Sequence, residues 1–350
     1  MKERTKEVLR DGFGVLVNNA AAIRGAKNGP LWLTIVFFVL SLFLPVLPIF
    51  IAQINVNGST FLNKYTYGLE KTITSMAIDL HDNRKVEFDL GVDHLLSIKE
   101  DGNTVSLGAY GSEKPFATYE NTASKQYDFM LYVSDVMTAA EKKVVNTAIS
   151  AKSYKLDTTE ISTEKEGIYK ASYMIVFPDS FYMVIYASNS TNVATSSFTG
   201  DFKTMEATQT GLKELLTVKD KDGNAVAQNI LSDDYTNGVL NNFKKVLDKS
   251  YESSKVVNVW GTSGIYLAIF FGLSVVMGFI MWILTRGKNN PNNYFTPWLT
   301  QKIEARLALS PAIITLIAGF FLTSQAPLFF ILTLGLRIMW ISMKELRPQA

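Results

Sequence analysis

The chain has 350 residues, a formal net charge of +2, 47% hydrophobic residues and no cysteine, which excludes disulfides and thiol chemistry. The near-neutral total hides a split. Residues outside 53–259 carry 13 Lys/Arg against 5 Asp/Glu, a net +8, whereas residues 53–259 carry 21 against 27, a net −6; neither part has the concentrated basic footprint of a nucleic-acid binder.

Residues 1–29 read as a short basic arm. Val8, Leu9, Phe13, Val15, Leu16 and Val17 lie among its basic residues, a pattern open to two readings: an amphipathic helix lying on a membrane or docking on a partner, or a solvated tail. Residues 30–52 hold the first predicted span, LWLTIVFFVLSLFLPVLPIFIA from Leu31 to Ala52. It has no charged side chain and as a helix extends about 33 Å, enough for a ~30 Å hydrocarbon core. Its length and the poor cleavage site at Phe50-Ile51-Ala52-Gln53 favour an uncleaved anchor over a signal peptide. Pro45 and Pro48 predict a kink in this span, not a break.

Residues 53–259 predict an α+β domain. Leu62, Tyr65, Leu69, Ile73 and Met76 recur at helical spacing across 59–80; 86–90, 95–98 and 104–107 read as strands with an Asp101-Gly102 turn; and Ser134-Asp135 is positioned to cap a helix over 136–149. Two runs, 169–177 and 181–187, flank Pro178-Asp179-Ser180 and predict a β-hairpin rich in aromatic residues. Residues 235–254 read as an amphipathic helix leading into the second span, 260–285. A cytoplasmic loop, 286–308, then predicts an interfacial helix with Phe295, Trp298, Leu299, Ile303 and Leu307 on one face and Lys302 and Arg306 beside it. Residues 309–345 read as a hairpin of two spans turning near Ser324-Gln325-Ala326-Pro327, followed by a tail, 346–350. The expected fold class is a multi-pass α-helical membrane protein of about four spans carrying a large α+β extracytoplasmic domain. Lys/Arg-rich short flanks stay inside, so both termini are expected in the cytoplasm of a cell-membrane protein with 53–259 outside.

Candidate sites are few. Gly264, Ala268 and Gly272 recur every four residues, a spacing that lets helix backbones approach, either within this chain or against another protein. Arg337 interrupts the last span; it either snorkels toward Lys344 and Arg347 or makes a polar contact with a partner's span. Tyr173, Phe181 and Tyr182 on the aromatic hairpin offer stacking faces to a ligand, set against the reading that they are core. Asp79, His81, Asp82, Asp89, Asp93 and His94 match no standard metal spacing, and Asp220, Asp222 and Asn224 fit an Asp-Gly turn better than a calcium loop. No G-x-S-x-G, H-E-x-x-H or P-loop occurs, so no catalytic residue, cofactor or metal is expected.

The order of arm, span, outer domain and block of spans, together with the run LSPAIITLIAGFFLTSQAPLFFILTLGLRIMWISMKELRP from Leu309 to Pro348, resembles the MalA-like maltodextrin-utilisation membrane proteins. The resemblance implies a non-catalytic accessory subunit beside the permease of an ABC-type carbohydrate importer, with the lipid bilayer and other membrane subunits as partners and no catalytic residues. The competing expectation is an extracytoplasmic ligand-binding receptor that signals through a partner.

Overall fold

The computed structural model describes residues 14–62, 69–106, 112–121, 126–155, 168–186, 194–206, 211–286 and 290–346. Val8, Leu9, Phe13 and Tyr65 lie outside them. In chain order the elements are α1 (Asn19–Asn28), α2 (Leu31–Ile54), α3 (Leu69–Ile78), β1 (Val86–Leu90), β2 (Leu96–Glu100), β3 (Asn103–Thr104), β4 (Ala117–Asn121), β5 (Gln126–Val133), α4 (Ala139–Ser150), β6 (Tyr154–Lys155), β7 (Ile168–Tyr169), β8 (Ser172–Val176), β9 (Ser180–Tyr186), β10 (Ala194–Asp201), α5 (Leu212–Leu216), α6 (Asp233–Leu284), α7 (Pro297–Leu307), α8 (Leu309–Phe321) and α9 (Ala326–Lys344). They form two compact units, Val56–Val256, and Met1–Asn55 with Val257–Ala350.

The first unit is built on a five-stranded sheet of order β10-β9-β8-β5-β4, antiparallel except for the parallel pair β5–β8. Alternate residues of each strand enter opposite cores, as the two-residue period of a strand requires. Phe129, Leu131, Val133, Met174, Val176, Phe181, Met183 and Ile185 face one core, shared with α3, α5, the start of α6 and the small sheet β1-β2-β3. Met130, Tyr132, Tyr173, Ile175, Val184 and Tyr186 face the other, which is closed by Ile149 of α4 and the β6–β7 ribbon. The predicted hairpin is β8–β9, with Val176 opposite Phe181 and Ile175 opposite Tyr182.

Two predicted boundaries move. The cap of α4 is Thr138, not Ser134-Asp135: Thr138 Oγ1 accepts from the Glu141 backbone N–H at 3.3 Å while the Glu141 carboxylate accepts from the Thr138 backbone N–H, a reciprocal capping box. Ser134 is unavailable because its own N–H continues the sheet to Val176 O at 3.0 Å. Within the helix expected over 59–80, the described residues form a 3₁₀ turn, Gly58–Phe61, and α3, which runs on into a π turn, Asp79–Asn83; residues 63–68 lie outside the described residues.

In the second unit α2, α6 and the segment Thr323–Lys344 are long and apolar enough to cross a membrane, and α7 with α8, bent by 41°, qualify as a fourth if read as one broken span. The helix predicted over 235–254 and the second span form one uninterrupted helix, α6. Pro45 and Pro48 sit inside α2 without ending it. Gly319 of α8 lies against Pro48, where a Cβ would come within 3.0 Å of the proline ring.

The sheet unit also carries a pH-linked ion pair. Burial pushes the Asp179 carboxyl up, but hydrogen bonds from Lys142 and Ser180 outweigh that and hold it below the ordinary carboxylate value. A carboxylate depressed in the folded state contributes stability above its unfolded pKa and loses it as pH falls through the folded value. Residues 56–256 expressed alone should therefore melt cooperatively, with Asp179→Asn lowering the midpoint at neutral pH and flattening its acid decline. Thermal melts by circular dichroism across a pH series test this; a non-cooperative fragment, or an unchanged acid limb in the variant, contradicts it.

Candidate functional site

The densest set of buried polar side chains among the described residues lies on and around α7. Thr296 caps the helix, its Oγ1 accepting from Leu299 N at 3.2 Å, and Pro297 at the first helical position needs no hydrogen bond there. From Ile303 to Leu307 every residue is buried. The expected interfacial helix, with Arg306 at its wet edge, is thus corrected: Trp298 is exposed, while Arg306 retains 1% of its surface.

Arg306 Nε donates to Thr34 Oγ1 at 2.9 Å, Nη2 reaches Pro30 O at 3.4 Å, and the guanidinium lies 5.7 Å from the centre of the Phe37 ring. Gly25 and Gly29 rest against it so closely that a Cβ at either would collide with its nitrogens. The described part of the basic arm, over 19–28, is thus a helix held against the chain; Val8, Leu9 and Phe13, on which the amphipathic reading leans, lie outside the described residues. The helix packs through the small residues Ala21, Ala22, Gly25 and Ala26.

Arg337 does not snorkel. Its Nε donates to Asn19 Oδ1 at 3.1 Å, Nη1 to Leu307 O at 2.7 Å and to Ser310 Oγ, and Nη2 to Val15 O. The partner-span alternative is equally unneeded, since four acceptors of this chain already surround the guanidinium. One of them, Leu307 O, is a carbonyl at the C-terminus of α7, where the helix dipole favours a cation.

The face of α7 carrying Gln301 and Glu304, one turn apart, meets α6 at Ser274, Val275 and Gly278. Gln301 Nε2 reaches Val275 O at 3.4 Å, and Gly278 lies against the Gln301 carboxamide. Ser274 and Glu304 are completely buried, and Ser274 Oγ, Gln301 Oε1 and both Glu304 carboxyl oxygens have no hydrogen-bond partner among the described residues. Sequence reasoning missed this set by placing 286–308 in a cytoplasmic loop with an interfacial helix, its polar residues beside the apolar face. One signal was present: α8 has 13 residues, about 20 Å of helix, too short to cross ~30 Å without α7.

Gly264, Ala268 and Gly272 are exposed, and no described atom lies within 4 Å of a Cβ built at Gly264 or Gly272, so the stripe is not packed against any described helix of this chain. The hairpin aromatics divide between cores. Tyr173 is buried beneath α4 with its hydroxyl donating to Asn146 Oδ1 at 2.9 Å, and burial raises its pKa. Phe181 is buried on the opposite face against Phe198 and Phe202, and half-buried Tyr182 lies on the Tyr173 side. Tyr132, Tyr154, Tyr173 and Tyr186 enclose a space of about 10 Å³, room for one water. On the other face an apolar cavity of about 60 Å³ lies among residues including Met76, Leu131, Phe181 and Phe243. Five of the six acidic and histidine residues of 79–94 have side-chain partners: His81 Nδ1 with Asp82 at 2.5 Å, Asp79 with Asn83 and Tyr119, Asp82 also with Gln228, Asp89 with Lys99, and Asp93 with Leu95 N. Asp220 accepts from the backbone of Asp222 and Asn224, with Gly223 at φ +86°, which makes the expected turn.

Comparison of the chain with protein-family models, with curated proteins and with solved structures gives no match. The class that the geometry defines is a two-unit chain: an α+β sheet unit, and a helical unit with three helices suited by length and composition to a membrane.

Arg337→Leu should lower the thermal stability of the purified protein, because it strands four acceptors at roughly 1 kcal/mol for each lost hydrogen bond. Arg337→Lys should fall between, since an ammonium cannot reach acceptors spread around a guanidinium fork. A silent Arg337→Leu in a melt of the detergent-solubilised protein would return the residue to a snorkelling role.

Proposed function

We propose that this chain is a multi-pass membrane protein with both termini cytoplasmic and residues 53–259 extracytoplasmic, acting as a non-catalytic accessory subunit of a bacterial membrane complex. The apolar helices and the charge split between 53–259 and its flanks support the location. The carbohydrate importer, as the particular complex, rests on the MalA-like resemblance alone. Protease added to intact cells or protoplasts should cut within 53–259 and spare the arm; the reverse pattern overturns the orientation.

The observation that carries the assembly reading is the contrast among glycines of the apolar helices. Gly278, Gly319 and Gly335 each lie against a side chain of this protein, whereas Gly264 and Gly272 have none. In lipid, where no hydrophobic effect drives helices together, small residues serve close backbone approach. A stripe left open by the described residues of its own chain suits a helix of another subunit. Ala268→Leu or Gly272→Leu should therefore weaken co-purification of partners, by ~1–2 kcal/mol where the packing is tight, and leave the isolated protein's melt unchanged. Gly278→Leu should instead destabilise the chain itself by displacing Gln301. Full retention of every partner in the first two variants removes the assembly role and favours ligand binding by the outer unit.

A further inference from the structure

The four orphaned polar atoms between α6 and α7 define a site of their own. Gln301 and Glu304 are neighbours on one face of α7, and their counterparts Gly278 and Ser274 are neighbours on one face of α6, so the two pairs form adjoining rungs. The cluster offers three strong acceptor positions, two on Glu304 and one on Gln301, and one hydroxyl donor, Ser274. Gln301 already turns its amide N–H toward Val275 O. The cations packed around α7 are directed elsewhere: Arg306 toward Thr34 and Pro30, Arg337 toward Asn19, Val15, Leu307 and Ser310, Lys27 toward the Tyr294 hydroxyl, and Arg286 toward Asn293 O and Phe295 O. Arg24 is exposed and Lys302 half-buried, and neither donates to Glu304.

A buried carboxylate with one hydroxyl for company and no counter-charge among the described residues is not a stable arrangement; a positive charge must join it or it must take up a proton. The available ligands are all oxygens, which suit small hard cations. We propose that Ser274, Gln301 and Glu304 form a binding site for one small hard monovalent cation, a proton or a sodium ion. With a proton, the acid donates its O–H to Ser274 Oγ or Gln301 Oε1 and the donor deficit closes. With sodium, the same oxygens turn inward as ligands. The site rests on the membrane part of the reading above and not on the assembly part: the protease test decides the first, and the experiment below leaves partners out.

The test uses the full-length protein in membrane vesicles and a hydrophobic carbodiimide, which adds to carboxyls that carry a proton, with the modified peptide located by mass spectrometry. The expected result is an adduct on the peptide containing Glu304, lost in Glu304→Gln. Protection by sodium chloride but not by choline chloride at fixed pH assigns the site to sodium. Labelling that declines as pH rises, indifferent to sodium, assigns it to the proton. A second measurement does not depend on reagent access: the melting temperature of the detergent-solubilised protein should rise with the bound cation, and Glu304→Gln should abolish that response. No adduct at Glu304 together with a melting temperature indifferent to sodium and to pH overturns the proposal, as does labelling that neither variable alters.

Discussion

A guanidinium packed among apolar helices has no water to bond, so its acceptors must come from the chain that buries it. Arg337 draws on Val15 and Asn19 ahead of and within α1, on Leu307 at the end of α7 and on Ser310 at the start of α8. Arg306 does the same for the other side of α7, reaching the first turn of α2 and lying on Gly25 and Gly29. Between them these two cations fix α7 in the interior of the helical unit. A helix of this composition would not choose that place by hydrophobicity, because Gln301, Lys302, Glu304 and Arg306 fall within six positions. Its position follows from where its charges find partners.

The same condition exposes what is unmatched. Arg306 and Arg337 each meet acceptors; Glu304, two residues from Arg306, has only the Ser274 hydroxyl beside it and no counter-charge among the described residues. Successive helical residues differ by about 100° in direction, so Glu304 and Arg306 point to opposite sides of α7 and meet different neighbours. The imbalance is therefore built into the register of one helix.

What the sequence made legible divides along lines of range. The first span, the β8–β9 hairpin around Pro178, the Asp101-Gly102 turn and the helices 309–321 and 326–344 were readable because local pattern and turn chemistry decide them. The cap of α4 was misplaced because Ser134 is claimed by a sheet bond to Val176, more than forty residues away. The role of α7 was missed for the same reason: its polar residues look solvated until Thr34, Ser274 and Gly25 arrive from distant parts of the chain. The triad of stacking aromatics, by contrast, was decidable from the outset. Phe181 and Tyr182 are adjacent in a strand, and adjacent strand residues cannot share a face.

The interior place of α7 also bears on the orientation drawn from charge. Counting Lys and Arg in short flanks is meaningful only for residues that stay in those flanks. Arg306 and Glu304 are buried, and Arg337 is half-buried with its guanidinium bonded within the chain, so all three leave the count. From 13 basic and 5 acidic residues outside 53–259, that removal leaves 11 and 4. The excess remains in the N-terminal arm and around Arg286, Lys288, Lys344 and Arg347, while 53–259 keeps its acidic balance. Burying these charges inside the helical unit thus changes what they do without changing which side of a membrane the flanks favour.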